Sequence, residues 1–392
     1  MTLPPVLRPP GLKTGGLYAL IFAALGAHLP FWPLWLAEWG LTASEIGAYT
    51  AAGVVVRIGA GFAIPMLADA IGARRLVMAA IAGGGALVFL AHPLIEDRAI
   101  LLIATLATGL VYPGMIPISD ALGSVAARDH GFSYARARAM GSVAFLLSNL
   151  AVGWLIGRFG VDVALGWIVL CLALSVWLSL VHPGGGRNAA VARVRFGDVG
   201  WLLSRRTFLV FILAIGCAQG SHAVFYAYGS VHWAALGLGE GLIGALWAFG
   251  VGVEVVLMMT FGGWLVQRIG PVMAITLSGV AGVLRWGWMA LDPTGGVLWL
   301  LQAIHALTFA LGHLGAIAFV AAAVEDRLGA TAQGVFGAAF GGFVTAIAMG
   351  LAAVLYDDLG GTTYLIAAIL SGCGALAGLI LGRLWTGGLI RD

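Results

Sequence analysis

What this sequence lacks is charge. Asp, Glu, Lys and Arg make up 9% of its 392 residues, where soluble domains carry roughly 25%. With 61% hydrophobic residues and a mean hydropathy of +1.02, an ordinary soluble domain is excluded. Cysteine is scarce as well. Cys171, Cys217 and Cys373 are odd in number, fall within apolar runs and have no ligand spacing, so neither a disulfide frame nor a metal site is supported. No GxxxxGK[ST] segment occurs, so ATP held by this chain alone cannot drive its work. HExxH, GxSxG and CxxC are absent too, and with them the signatures of a membrane-embedded enzyme. The net charge of +3 needs no nucleic-acid partner, and no motif calls for a cofactor.

What is present is a succession of apolar runs, each long enough to cross a hydrocarbon core of about 30 Å as a helix. Twelve can be counted, from about residues 14–37 to about 363–385. They are continuous and rich in Ala, Leu and Gly rather than alternating ten-residue strands, so helices are expected and a barrel is not. The sixty glycines fit close helix contacts, as in GCAQG (216–220) and GAAFG (337–341). The first segment, MTLPPVLRPPGLKTG, leads into a full-length span rather than a short apolar region with a cleavage site, so no cleavable leader is expected. If the N-terminus is cytoplasmic, fourteen of the twenty basic residues fall on the cytoplasmic side, Arg8, Arg187, Arg193 and Arg195 among them, and only Arg98 and Arg158 on the other. That asymmetry places both termini inside. Arg57, Arg136, Arg138 and Arg285 remain, at or within helices.

The one long polar connection, HPGGGRNAAVARVRFGDVG (182–200), divides six spans from six. It reads as a basic, Gly-rich linker along the cytoplasmic surface. The expected domains are residues 1–182, a linker over 183–206, and residues 207–392. A repeat relates the halves: GLTASEIGAYTAAGVVVR (40–57) aligns with GLGEGLIGALWAFGVGVE (237–254) at a constant offset of 197. With one inserted residue, PMLADAIGARR (65–75) then matches GWLVQRIG (263–270). Two such halves in parallel orientation, with a substrate site between them at mid-depth, is an established transporter plan.

PMLADAIGARR resembles the loop between the second and third helices of the major facilitator superfamily. Asp69, Gly72, Arg74 and Arg75 match that loop, and the second copy keeps Gly263, Arg268 and Gly270 but has Gln267 in place of the acid. Over most of the chain, HLPFWPLWLAEWGLTASEIG, YARARAMGSVAF, QGSHAVFYAYGSVHWAALG, GVGVEVV and GVLRWG are similar to segments of the phenylpropionate permease group, proton-coupled importers of aromatic acids. That group usually has Gly and Trp where Ala135 and Met140 stand. The YARARAMGS segment also resembles the lactose and oligosaccharide permeases. The resemblance implies an all-α membrane protein with twelve transmembrane helices in two six-helix halves, the major facilitator fold. It further implies a secondary transporter of the bacterial inner membrane, working as a monomer on a small organic anion, with lipid as its surroundings and the proton as its coupling ion.

The buried polar residues carry the expected chemistry. A charge at a helix centre costs roughly 2.5 to 3.5 kcal/mol on insertion scales, so Arg57 should face the interior or a wet cavity. Its repeat equivalent is Glu254. The expectation is that Arg57 attracts an anionic substrate while Glu254 binds the coupled proton; the alternative is a fixed ion pair for each. Asp120 and Arg138 lie 18 residues apart around the turn ARDHGFSY, which brings them to similar depth on antiparallel helices as a second proton-coupling and binding pair, or as a hairpin clamp. In the sugar permeases an acid and an Arg at this spacing resemble sugar-binding residues. Arg285 could pair with Glu254 or hold a substrate carboxylate, for which an Arg fork is well shaped.

His28, Gln219, His222 and His305 stand in the motifs that carry the resemblance, and no His pair has the i, i+4 spacing of a helical metal site. They join the substrate-binding candidates. Phe31 and Trp32, between Pro30 and Pro33, offer an aromatic wall, with Tyr226 opposite, whereas Trp35 and Trp39 read as an interface belt. Asp69, Gly72, Arg74, Arg75 and Arg268 form the gating loops. The function expected is proton-coupled uptake of a small aromatic carboxylate by alternating access. A nucleoside or oligosaccharide symporter, and a non-transporting sensor on the same fold, are the rival readings.

Overall fold

Uncharged runs of Ala, Leu and Gly leave the backbone one way to satisfy its own N–H and C=O groups in hydrocarbon, which is to pair them within the segment. The computed structural model describes residues 9–184 and 196–391, and its elements are helices. Arg8, Arg187, Arg193, Arg195 and most of the expected linker lie outside the described residues. In chain order the helices are α1 (Pro9–Trp39), α2 (Ala43–Ile71), α3 (Arg74–Ala91), α4 (Arg98–Thr108), α5 (Val111–His130), α6 (Tyr134–Phe159) and α7 (Asp162–Leu180), then α8 (Phe196–Leu203), α9 (Arg206–Gly220), α10 (Ala223–Ala235), α11 (Glu240–Leu257), α12 (Gly263–Ile269) and α13 (Pro271–Met289), and finally α14 (Gly296–Ala306), α15 (Gly312–Ala323), α16 (Asp326–Ala338), α17 (Thr345–Leu359) and α18 (Tyr364–Leu384).

Eleven stretches among the described residues are long and apolar enough to span a membrane. The last of them, Thr331–Leu384, runs for 54 residues and is broken by a 3₁₀ turn at Gly360–Thr363. One crossing needs about 20 residues, so it supplies two passes and twelve crossings result. Several spans are assembled from two helices joined by a local irregularity. Three of those joints are π-helical turns, Met258–Gly262, Leu307–Leu311 and Ala339–Val344.

The ends of the helices follow local chemistry. Asp97 caps α4 by accepting from the Ile100 N–H at 2.9 Å, and Ser133 caps α6 by accepting from Arg136 N–H at 3.3 Å. The two repeated loops each need a glycine in the left-handed region: Gly72 has φ +69° and Gly270 φ +84°, where a Cβ would be strained. In the first loop Asp69 accepts a charge-assisted hydrogen bond from Arg74 Nε, while Arg75 is exposed. In the second, the exposed Arg268 lies over the Trp264 ring, 5.9 Å from its centroid.

Contacts divide the chain into two units. One contains residues 1–41, 52–191 and 233–248, the other residues 42–51, 192–232 and 249–392. In the first unit α1 packs against α6 and α7, and α3 against α7. Small residues let backbones meet there, which is what drives helix association where lipid removes the hydrophobic term. A Cβ on Gly153 of α6 would stand 2.7 Å from the Glu240 carbonyl and 3.2 Å from Gly244 Cα.

In the second unit α18 packs between α13 and α9. A Cβ on Gly279 would lie 2.7 Å from Ala375 N, and one on Gly374 the same distance from Ala218 N. Phe211 and Phe319 stack at 4.4 Å in the apolar cluster beside them. Gly47 leaves room for the Tyr228 hydroxyl, which donates to the Ala43 carbonyl at 3.0 Å.

Two expectations are corrected by this packing. Gly216 and Gly220 do face a neighbour, Val344, but Gly337 of GAAFG faces open space, while Gly341 lies outside the described side-chain positions; Leu328, Ala332 and Phe336 of the same helix as Gly337 join the apolar cluster described above. Trp35 is buried rather than at a lipid interface, because its indole N–H donates to Asp162 at 2.8 Å and its ring stacks on Trp32 at 5.3 Å. Trp39 donates to the Ile95 carbonyl at 2.9 Å. Despite Pro30 and Pro33, α1 is one continuous helix.

Candidate functional site

In the second unit, α11, α13, α14 and the π turn after α14 bring five polar side chains to one place. Arg285 on α13 is 1% exposed. Its Nη2 donates to Gln302 Oε1 at 2.7 Å, and its Nη1 donates to His305 Nδ1 at 3.0 Å and to Thr308 Oγ1 at 3.3 Å. The indole of Trp286 lies 4.2 Å and the Phe225 ring 5.3 Å from the guanidinium carbon. On the far side of the imidazole, His305 Nε2 is 3.1 Å from Glu254 Oε2.

The protonation pattern follows from what each group can do. A guanidinium only donates, so His305 Nδ1 must be its acceptor, and the imidazole proton must sit on Nε2, pointing at the carboxylate. His305 is thereby a neutral bridge between a buried cation and a buried acid. Among the described residues no direct ion pair joins Arg285 to Glu254; the pairing expected from sequence runs through His305. Gln302, His305 and Thr308 recur every three residues on one helical face, a spacing that brings side chains together. Gln302 and Thr308 were not among the sequence candidates, and that spacing was the available signal.

His222 and Gln219 approach the same cluster from the break between α9 and α10. His222 Nε2 is 3.0 Å from Thr308 Oγ1, and its Nδ1 donates to the Gln219 carbonyl at 2.9 Å. The Gln219 amide reaches backbone carbonyls of the π turn, Phe309 at 2.9 Å and Thr308 at 3.4 Å. Tyr226 stacks on His222 at 5.9 Å.

The first unit holds a different arrangement. Arg57 of α2 is exposed, and its charge acts on His28 of α1 and Tyr112 of α5. His28 Nε2 and Tyr112 Oη are buried with no hydrogen-bond partner. Around them Trp32 stacks on His28 at 5.4 Å, Phe89 meets His28 edge-on at 5.5 Å, and His92 meets Trp32 edge-on at 4.9 Å. Trp32 thus lies in an aromatic group around His28, whereas Phe31 is fully buried against Gly153. Tyr112, Phe89 and His92 were not foreseen; nothing in their spacing points to Arg57.

Asp120 and Arg138 do approach each other, at 3.8 Å. Two tyrosines crowd the same carboxylate oxygen: Tyr18 donates to Asp120 Oδ1 at 2.7 Å and Tyr134 at 2.9 Å. The Arg138 guanidinium lies over the Phe22 ring at 4.1 Å and the Tyr18 ring at 5.2 Å. Both charged side chains keep part of their surface open, 43% for Asp120 and 31% for Arg138.

Comparisons with known proteins fit this architecture. The fold is similar to that of the nucleoside transporter NupG, with a TM-score of 0.81 at 16% identity, covering 96% of this chain and 98% of that one. It is also similar to the POT family transporter PepTSo, with a TM-score of 0.70 at 11% identity, covering 98% of each chain. In sequence it is 29% identical over 361 residues to the "Probable 3-phenylpropionic acid transporter" of Escherichia coli (strain K12), covering 90% of this chain and 93% of that one. It is 25% identical over 328 residues to a maltose permease of Geobacillus stearothermophilus, covering 82% of this chain and 81% of that one. The matching family model and the transporter relatives, with the fold, make this a multi-pass membrane transporter of the major facilitator type rather than an enzyme. The chain belongs to the MFS_1 like family, whose model matches residues 12–367.

Proposed function

We propose that this transporter couples a proton to the uptake of a small aromatic carboxylate by alternating access. The observation that carries the coupling is the bridge Glu254–His305–Arg285. A buried acid held by a neutral imidazole, with a guanidinium behind it, can exchange a proton without leaving an isolated charge in the protein interior. Glu254, rather than His305, is the proton's seat, since His305 Nδ1 is taken up by a donor that cannot accept. Arg57 is the cargo anchor: it is exposed, and the same unit holds two buried unpartnered polar atoms, His28 Nε2 and Tyr112 Oη, with the Trp32 ring stacked on His28. A carboxylate supplies the acceptors for that group, and an aryl ring packs on the indole. The similarity to a 3-phenylpropionic acid transporter supports the same cargo class.

In this reading the protein sits in the inner membrane as a monomer with both termini in the cytoplasm, the proton is the coupling ion, and no other cofactor takes part. A second reading rests on Asp120. Its carboxylate, half-open and already holding two hydroxyl groups, is chemistry that also suits a sugar or nucleoside.

The deciding experiment is uptake of labelled 3-phenylpropionate into proteoliposomes with and without an inward proton gradient, a nucleoside and a disaccharide run in parallel. Gradient-dependent accumulation of the acid is expected. Accumulation of a neutral solute alone would move the cargo to the Asp120 reading, and binding without turnover would make the protein a sensor.

A further inference from the structure

Glu254 and His305 each stand within a turn ahead of a π turn, at Met258–Gly262 and Leu307–Leu311 respectively. These two π turns pack on each other, and Gly262 of the first leaves room for Leu314 just beyond the second. A π turn inserts a residue into the helix and disturbs the regular backbone ladder, so it persists where its loosened carbonyls find other donors.

Gln219 is the side-chain donor, joining the Gly312 N–H at the Phe309 carbonyl. It is 3% exposed, stands on another helix and spends its amide N–H groups on the Phe309 and Thr308 carbonyls. Gly312 at the start of α15 makes the approach possible, since a Cβ there would lie 2.7 Å from Gln219 Nε2. His222, one turn further along, fixes the same place through Thr308 Oγ1. Thr308 in turn accepts from Arg285. The amide nitrogen of the residue that the sequence offered to the cargo is therefore engaged with backbone, while its oxygen is buried without a partner.

We propose that Gln219 is the positioning residue of the coupling group: by capping the π turn after α14 it holds His305 between Arg285 and Glu254. Without the cap, the turn relaxes toward regular α-helix and the imidazole rotates about the helix axis, since one residue more or less changes direction by about 100°. The bridge to Glu254 is then lost, although neither partner has been altered. This rests on the coupling role given to Glu254 above.

The test is an infrared pH titration of the purified protein, following the carboxyl band that disappears in Glu254→Gln. Gln219→Leu should move the midpoint of that band by about one pH unit or more, the scale of one lost charge-assisted contact. Gly312→Ala should do the same, because its methyl displaces the Gln219 amide while leaving the residue intact. Gln219→Met, which keeps the length and volume and has no donor, serves if the Leu variant does not fold. In proteoliposomes the pH profile of 3-phenylpropionate uptake should shift with the band, while the KM for counterflow stays within about twofold. An unchanged midpoint in these variants overturns the proposal, as does a raised counterflow KM with the band unmoved, which would make Gln219 a cargo contact. If the wild-type protein shows no gradient-driven uptake, the coupling function fails, and the infrared titration, which needs no cargo, still decides the position of Gln219.

Discussion

His305 Nε2 lies 3.1 Å from Glu254 Oε2, while its other ring nitrogen accepts from Arg285 at 3.0 Å. One imidazole therefore separates the buried acid from the buried base, and any proton that Glu254 takes up changes the hydrogen bond that His305 makes to it. Glu254→Gln keeps a hydrogen-bonding group of the same size and removes the titration. Accumulation against a gradient should disappear, while counterflow of cargo continues at a rate of the same order. The check is the two assays on one preparation; accumulation that survives removes Glu254 from coupling.

Arg57→Ala separates attraction of the cargo from support of the fold. A charge-assisted hydrogen bond contributes about 1.5 to 3 kcal/mol, so affinity for 3-phenylpropionate should fall about tenfold to a hundredfold. The uncharged amide analogue should lose far less. Equal losses in a binding titration of the two would assign Arg57 to structure.

Exchanging Asp120 and Arg138 tests the second charged group. If the pair only clamps the α5–α6 hairpin, the swapped protein should express normally and transport. The two tyrosine hydroxyls that donate to Asp120 lead us to expect recovery of expression without recovery of uptake, because a guanidinium at position 120 cannot accept from them. Expression level and initial uptake rate, measured together, distinguish the outcomes.

Gly244→Ala probes the close approach of α11 and α6. The new methyl would meet the Asn149 carbonyl and Gly153 Cα, backbone atoms that cannot rotate away. A loss of about 1 to 3 kcal/mol is expected, read as a lowered thermal midpoint in detergent. A midpoint equal to wild type would mean that the helices separate without cost.

His182, beyond the end of α7, gives a pH prediction. Its Nδ1 accepts from Gly184 N–H at 3.0 Å, and its Nε2 stands 3.2 Å from Thr14 Oγ1. Burial pushes its pKa from 6.5 down to about 4, and the nearby charges of Arg75 and Lys13 act in the same sense. The unfolded chain thus binds more protons between these values, and stability falls as pH drops from about 6.5 toward about 4, by up to about 3 kcal/mol. His182→Gln should flatten the thermal midpoint over that range. A slope identical to wild type would place the acid sensitivity elsewhere.

Much of this protein was determined by the sequence alone. Composition made it a membrane protein, run length made its spans helices, and the repeat of residues 40–57 in 237–254 put Arg57 and Glu254 at equivalent places. These follow from hydropathy and periodicity, which are properties of the chain in one dimension. The spacing of Gln302, His305 and Thr308 was there to be read as well.

Which polar groups meet was decided by the tertiary structure. That His305 bridges Glu254 and Arg285, that two tyrosines hold Asp120, and that Trp35 is buried on Asp162 depend on how each helix is rotated about its axis. Rotation is set by glycine contacts such as Gly153 on Gly244 and by π turns such as Leu307–Leu311. A π turn depends on a distant amide, that of Gln219, so nothing local to residues 307–311 announces it. Lipid adds no signal of its own, because every apolar face satisfies it equally; only packing chooses among them.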